Sequence, residues 1–134
     1  DGDYETIAPT SSPTEEYLQD IYELIRKSSP DSGAALSNQD SPQYAAWKWI
    51  TENDYFLYGV FSEEKILESY ALATLYHSTN GENWWMTYSW LDDDPCFWGG
   101  VECYYDWWTD YSHTTELYLS QNNLAGTIPR EISM

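Results

Sequence analysis

Apolar residues recur at helical spacing in three stretches of the chain and change to alternation near its end. Tyr17, Leu18, Ile21, Leu24 and Ile25 form the first stripe. Ser12-Pro13-Thr14-Glu15 before it is a helix start, with Ser as N-cap, Pro at the first helical position and Glu three residues after the Ser. Arg26 and Lys27 suit the negative end of that helix, and Ser28-Ser29-Pro30 ends it. Ser41-Pro42 repeats the start signal ahead of Tyr44, Ala45, Trp47, Trp49 and Ile50, which predicts a second helix ending near Asn53. A third helix, the longest of the three, is predicted from Ser62-Glu63-Glu64 through Ile66, Leu67, Tyr70, Ala71, Ala73, Thr74 and Leu75 to a stop at Asn80-Gly81. Residues 1–11 are polar, contain Pro9 and lack a period, so they read as a flexible arm. Residues 31–40 read as a loop, and 54–61 are ambiguous between a turn and a short extended piece.

Beyond Gly81 the helical period is gone. Residues 82–100 are expected to be irregular and held by Trp side chains. Val101 to Tyr105 reads as a strand, 106–110 as its connection and Thr114 to Leu119 as the antiparallel partner. In that partner Leu117 and Leu119 alternate with Glu116, Tyr118 and Ser120, so the two sets point to opposite sides. Asn122 can turn the chain by bonding backbone through its side-chain amide, and Leu124 and Ile128 are expected to return to the core of the two leucines. The fold class is α+β.

Leu117, Leu119, Asn122, Leu124, Gly126, Ile128 and Pro129 fill the diagnostic places of a leucine-rich repeat. Ahead of them Pro95, Cys96, Trp98, Gly100, Val101 and Cys103 fill, without a gap, a Pro-Cys-x-Trp-x-Gly-Val-x-Cys block with a Trp upstream. In this order and at this distance the two motifs resemble the N-terminal cap and first repeat of plant-type extracellular leucine-rich-repeat proteins. The preceding Tyr70-Ala71-Leu72-Ala73-Thr74-Leu75-Tyr76 and Thr79-Asn80-Gly81-Glu82-Asn83-Trp84 look like the leucine-rich-repeat proteins of diatoms. The resemblance implies a helical cap over 12–81, a disulfide-containing cap over 82–113 that staples a β-hairpin, and the first repeat of a solenoid over 114–134. It implies a Cys96–Cys103 bridge and hence an oxidising, extracytoplasmic compartment. It also implies a non-enzymatic module that recognises a protein or other ligand on the concave face, where Glu116, Tyr118 and Ser120 would lie. One repeat cannot bury its own face, so the expectation is the front end of a longer protein. The absence of an initiator Met or a signal-peptide pattern at Asp1 suggests a processed or trimmed product. A second reading is a structural or assembly subunit that docks to a larger complex through its acidic, aromatic cap.

Charge narrows the partners. The net charge of −18 comes from 23 acidic and 5 basic residues, and Arg26, Lys27, Lys48, Lys65 and Arg130 are too scattered to follow a phosphate backbone. Nucleic acid and anionic membrane surfaces are therefore poor partners, and no run of about 18 apolar residues is available to span a membrane. The acidity is accounted for by solubility alone, or more sharply by attraction to a basic protein partner.

Candidate chemistry adds little. Asp92-Asp93-Asp94 offers hard oxygens but lacks the glycine and distal glutamate of a calcium loop, and reads more simply as a solvated turn. His77 and His113 have no spaced partner for zinc. Gly99-Gly100 lacks the lysine and spacing of a phosphate loop, and no Gly-x-Ser-x-Gly elbow occurs. Trp84, Trp85, Trp107 and Trp108 suit sugar stacking, although aromatic pairs at such a seam are more often core. No cofactor, metal site or catalytic residue is expected.

Overall fold

The computed structural model describes residues 13–53, 56, 61–108 and 111–134. The N-terminal arm, the Ser12 cap and most of the ambiguous stretch at 54–61 lie outside these residues. Among the described residues three helices of ten residues or more come first: α1 (Pro13–Ser28), α2 (Pro42–Thr51) and α3 (Glu63–Ser78). An irregular, tryptophan-rich segment follows. It leads into an antiparallel hairpin of β1 (Val101–Asp106) and β2 (Tyr111–Leu117). Turns and a short 3-10 helix, Arg130–Ser133, complete the chain.

Local signals explain the helix bounds. Ser41 Oγ accepts the Tyr44 amide at 3.0 Å, and Ser62 Oγ accepts that of Lys65 at 3.1 Å, so each satisfies an orphan donor of its first turn. Past α3, Asn80 takes the left-handed conformation at φ 62° and ends the helix where Asn-Gly predicted. α3 is not the longest helix, because α1 and α3 each span 16 residues. The loop at 31–40 also contains a 3-10 turn, Ala35–Ser37, that delivers Leu36 to the core. The sequence showed only its polar residues.

α3 is the central element. It is buried almost all round, which is the signature of a helix with neighbours on every side. Ile66, Tyr70 and Ala73 join Ile21 and Ile25 of α1 and Ala46 and Ile50 of α2 in one core. Leu72 enters a second core of Trp84, Trp90, Trp98 and Val101. Trp49 touches both. Its ring stands edge-on to Phe56 and to Trp98, and its Nε1 donates to the Leu91 carbonyl at 2.7 Å. Leu91 sits at φ 67°, a costly conformation for a γ-branched residue, held in place by that bond.

The second core is built of indoles in edge-on and tilted contact. Trp90 lies 4.8 Å from Trp84 and 4.9 Å from Trp98 between ring centroids. Two of the three indole donors find acceptors at this depth: Trp84 Nε1 reaches the Thr79 carbonyl and Trp90 Nε1 the Gly99 carbonyl, whereas Trp98 Nε1 has no partner among the described residues. Cys96 and Cys103 are bridged across this core, with Cα atoms 5.6 Å apart. So short a loop limits the entropic gain to about 2–3 kcal/mol, and the tryptophans hold most of the segment.

The end of the chain returns to α3. Gly100 and Gly126 both make this possible: a Cβ would lie 2.3 Å from the Tyr118 carbonyl at the first and 2.2 Å from the Ser78 carbonyl at the second. Both have positive φ as well. Beside Gly126, the Ala125 amide donates to the Thr79 carbonyl at 3.1 Å. The buried Glu131 then accepts from Gln43 Nε2 of α2 at 3.1 Å through each carboxylate oxygen.

The expected wall of Leu117, Leu119, Leu124 and Ile128 is only half present. Leu117 and Leu119 pack on the tryptophan core. Leu124 and Ile128 stand on the surface at 36% and 66% exposure. Main-chain bonds and Glu131 hold this segment, and no described element covers those two side chains. The described residues contain one hairpin and no stacked repeat.

Candidate recognition surface

The hairpin presents an outer face opposite the tryptophan core. Val101 pairs with Leu117 and Glu102 with Glu116; after an irregularity between Glu102 and Cys103, Cys103 pairs with Thr114 and Tyr104 with His113. Val101 and Leu117 pack on the tryptophan core, so by the two-residue period Glu102 and Tyr104 of β1 face away from it. Glu116, Tyr118 and Ser120 do the same on β2 and its continuation, and all three are exposed. Tyr118 is positioned by its amide, which donates to the Gly100 carbonyl at 2.7 Å. Its hydroxyl donates to Glu116 Oε2 at 2.7 Å. That bond, with slight desolvation and the charges of Glu116 and Glu102, raises the phenol above its ordinary pKa. The alternation read from the sequence placed Glu116, Tyr118 and Ser120 on one side of the strand, and the structure adds Glu102 and Tyr104 to that side. Pairing the two predicted strands residue by residue would have found them.

Asn122 is buried, but its role differs from the expected one. Its Oδ1 accepts the Met86 amide at 2.6 Å and its Nδ2 donates to the Met86 carbonyl at 2.9 Å. The amide imitates a strand neighbour for the Trp85–Met86 backbone instead of turning its own chain. Held there, Trp85, Met86 and Tyr88 project outward, and Phe97 is likewise exposed.

The four tryptophans first read as core divide differently. Trp84 is buried, but Trp85, Trp107 and Trp108 are exposed, the last two at 81% and 96%. Trp107 and Trp108 follow β1 at the end of the hairpin, beyond the reach of the second core; Trp107 packs edge-on against Tyr105.

The other candidates are accounted for locally. Asp94 caps a short 3-10 turn by accepting the Cys96 amide at 2.9 Å. It also pairs at 3.4 Å with Lys65, whose ammonium donates to Cys96 Sγ at 3.0 Å and is only 5% exposed. A hollow of about 190 Å³ lies beside Asp92, Asp93, Asp94 and Phe97. Among the described residues no group of three or more His, Cys, Asp and Glu side chains is placed to hold a metal ion. His77 is half-buried, its Nε2 has no partner, and burial pushes its pKa down, only partly opposed by Glu82. His113 lies 3.5 Å from Asp106 and 3.9 Å from Glu68. No described helix is long and apolar enough to cross a membrane.

No protein-family model, no curated protein and no solved structure matches the chain.

Proposed function

We propose that this chain is a non-enzymatic interaction module, the front of an extracytoplasmic leucine-rich-repeat protein, which recognises a protein ligand through the outer face of its hairpin. The observation that carries this is the division of side chains along one strand. Leu117 and Leu119 lean into the tryptophan core while Glu116, Tyr118 and Ser120 stand free on the other side. A solenoid strand divides its side chains in this way between core and concave face. The Cys96–Cys103 bridge supports an oxidising compartment. Exposed Leu124 and Ile128 are apolar side chains of the kind a following repeat would cover.

The test is the sequence and intact mass of the native mature protein. Further Leu-x-Leu-x-x-Asn units following Met134 are expected, and a mature product without them would overturn the solenoid reading. The assembly-subunit reading draws on a different observation, the exposed Trp85, Met86, Tyr88 and Phe97 of the cap. It predicts that the native protein is recovered in a larger complex that dissociates when Trp85 and Phe97 are replaced by Ser.

A further inference from the structure

Cross-strand carboxylates are ordinarily matched by a cation, and the outer hairpin face breaks that rule. Glu102 and Glu116 are direct partners in the register. Like charges on directly opposite residues, whose Cβ atoms lie about 5 Å apart, destabilise a sheet. Described cations are engaged elsewhere: Arg26 pairs with Glu23, Lys48 with Glu52 and Lys65 with Asp94, and Arg130 donates to the Pro30 carbonyl. Among the described residues, which include all five Lys and Arg side chains, no ion pair reaches either carboxylate. The Tyr118 hydroxyl meets one oxygen of Glu116 and leaves the remaining oxygens open. Exposed phenol rings flank the pair, Tyr104 on β1 and Tyr118 beyond β2.

We infer that this face is a docking site for an arginine side chain on a basic segment of a partner protein. A guanidinium is planar, donates in a fork that matches carboxylates, and stacks on aromatic rings, so one group answers both the Glu102–Glu116 pair and the tyrosines. Lysine supplies the charge without the plane and fits less well. The net charge of −18 brings such a partner in, and the pair on the hairpin selects where it lands. The inference rests on the interaction-module reading and gives it a partner chemistry.

The experiment titrates the intact protein, at physiological salt, with a short peptide carrying two arginines, with its lysine counterpart and with its citrulline counterpart. Backbone amide resonances and calorimetry are the readouts. The arginine peptide should shift resonances of 102–104 and 116–118, bind more tightly than the lysine peptide, and lose its effect as citrulline. Glu102→Gln/Glu116→Gln should weaken arginine-peptide binding about 10-fold or more, a 1.4 kcal/mol loss. Asp92→Asn/Asp93→Asn, an equal loss of charge elsewhere on the surface, should weaken it less than about 2-fold. The Gln pair should melt at the same temperature as the parent or higher, because a like-charge pair has been relieved. Equal weakening by the two double variants would reduce the effect to the overall field and overturn the site. A fall in melting temperature in the Gln pair would make the carboxylates structural, and would overturn it as well. Either failure leaves the repeat reading to be decided by the native sequence beyond Met134.

Discussion

Asn122 shows how one side chain can do an element's work. From a buried position, its amide satisfies the amide and the carbonyl of Met86. Asn122→Ala leaves both groups unpaired at about 1–3 kcal/mol each, so a loss of about 2–4 kcal/mol is expected in urea denaturation. A loss below about 0.5 kcal/mol would mean that water replaces the amide freely. His77 is the residue at which pH should be felt. Burial holds its folded pKa below the unfolded value of about 6.5, so the unfolded chain takes up the proton first as pH falls. Stability should therefore decline on acidification through about pH 6.5 and stop declining, for this group, below the folded pKa. His77→Phe keeps a ring against Tyr76, 5.3 Å away in the parent, and removes the titration. Denaturation at pH 7.5, 6.5 and 5.5 should give a flatter pH dependence for the variant, and parallel curves would remove His77 from the explanation.

At the scale of elements, the three helices and the hairpin were legible because their signals are local. The Ser41-Pro42 start, Ser62, Asn80-Gly81 and strand alternation each act within a few residues of where they stand. The contents of the cores were less legible. The burial of Lys65 and Glu131 depends on partners 29 residues away at Asp94 and 88 away at Gln43, which no local pattern reports. Trp84 and Trp85 are neighbours of identical chemistry, yet only Trp84 has a core to enter, since Asn122 fixes the backbone so that Trp85 points out. The repeat motif was legible as a pattern, but its consequence for Leu124 and Ile128 was not, because their burial requires an element to cover them. The segment can be dissected by contrast. Leu119→Ala, partly buried on the tryptophan core, should cost about 1–3 kcal/mol, and Ile128→Ala should stay within about 0.5 kcal/mol. Equal losses in equilibrium unfolding would mean that Ile128 is covered in solution and would assign an apolar neighbour to that face.

Across the whole molecule, charge is the term that the packing leaves unbalanced. The tryptophan and helical cores close the interior, while the surface carries a net −18 with few cations to offset it. The Arg26–Glu23 and Lys48–Glu52 pairs lie on exposed helix faces, where such contacts contribute about 0–1 kcal/mol. Self-repulsion of the folded state should then outweigh the exposed pairs. Repulsion acts over a screening length of about 30 Å at 0.01 M salt, comparable to the molecule, and about 10 Å at 0.1 M. Added salt removes most of it, whereas the buried Lys65–Asp94 contact is screened much less. Raising sodium chloride from 0.01 to 0.3 M should therefore raise the melting temperature, by about 3–8 °C for a gain of about 1–2 kcal/mol. Scanning calorimetry across that series decides the matter. A melting temperature that falls with salt would show that attractive pairs dominate the surface. A flat response would show that the carboxylates are far enough apart to ignore one another, and the acidity would then matter for partners and solubility but not for the fold.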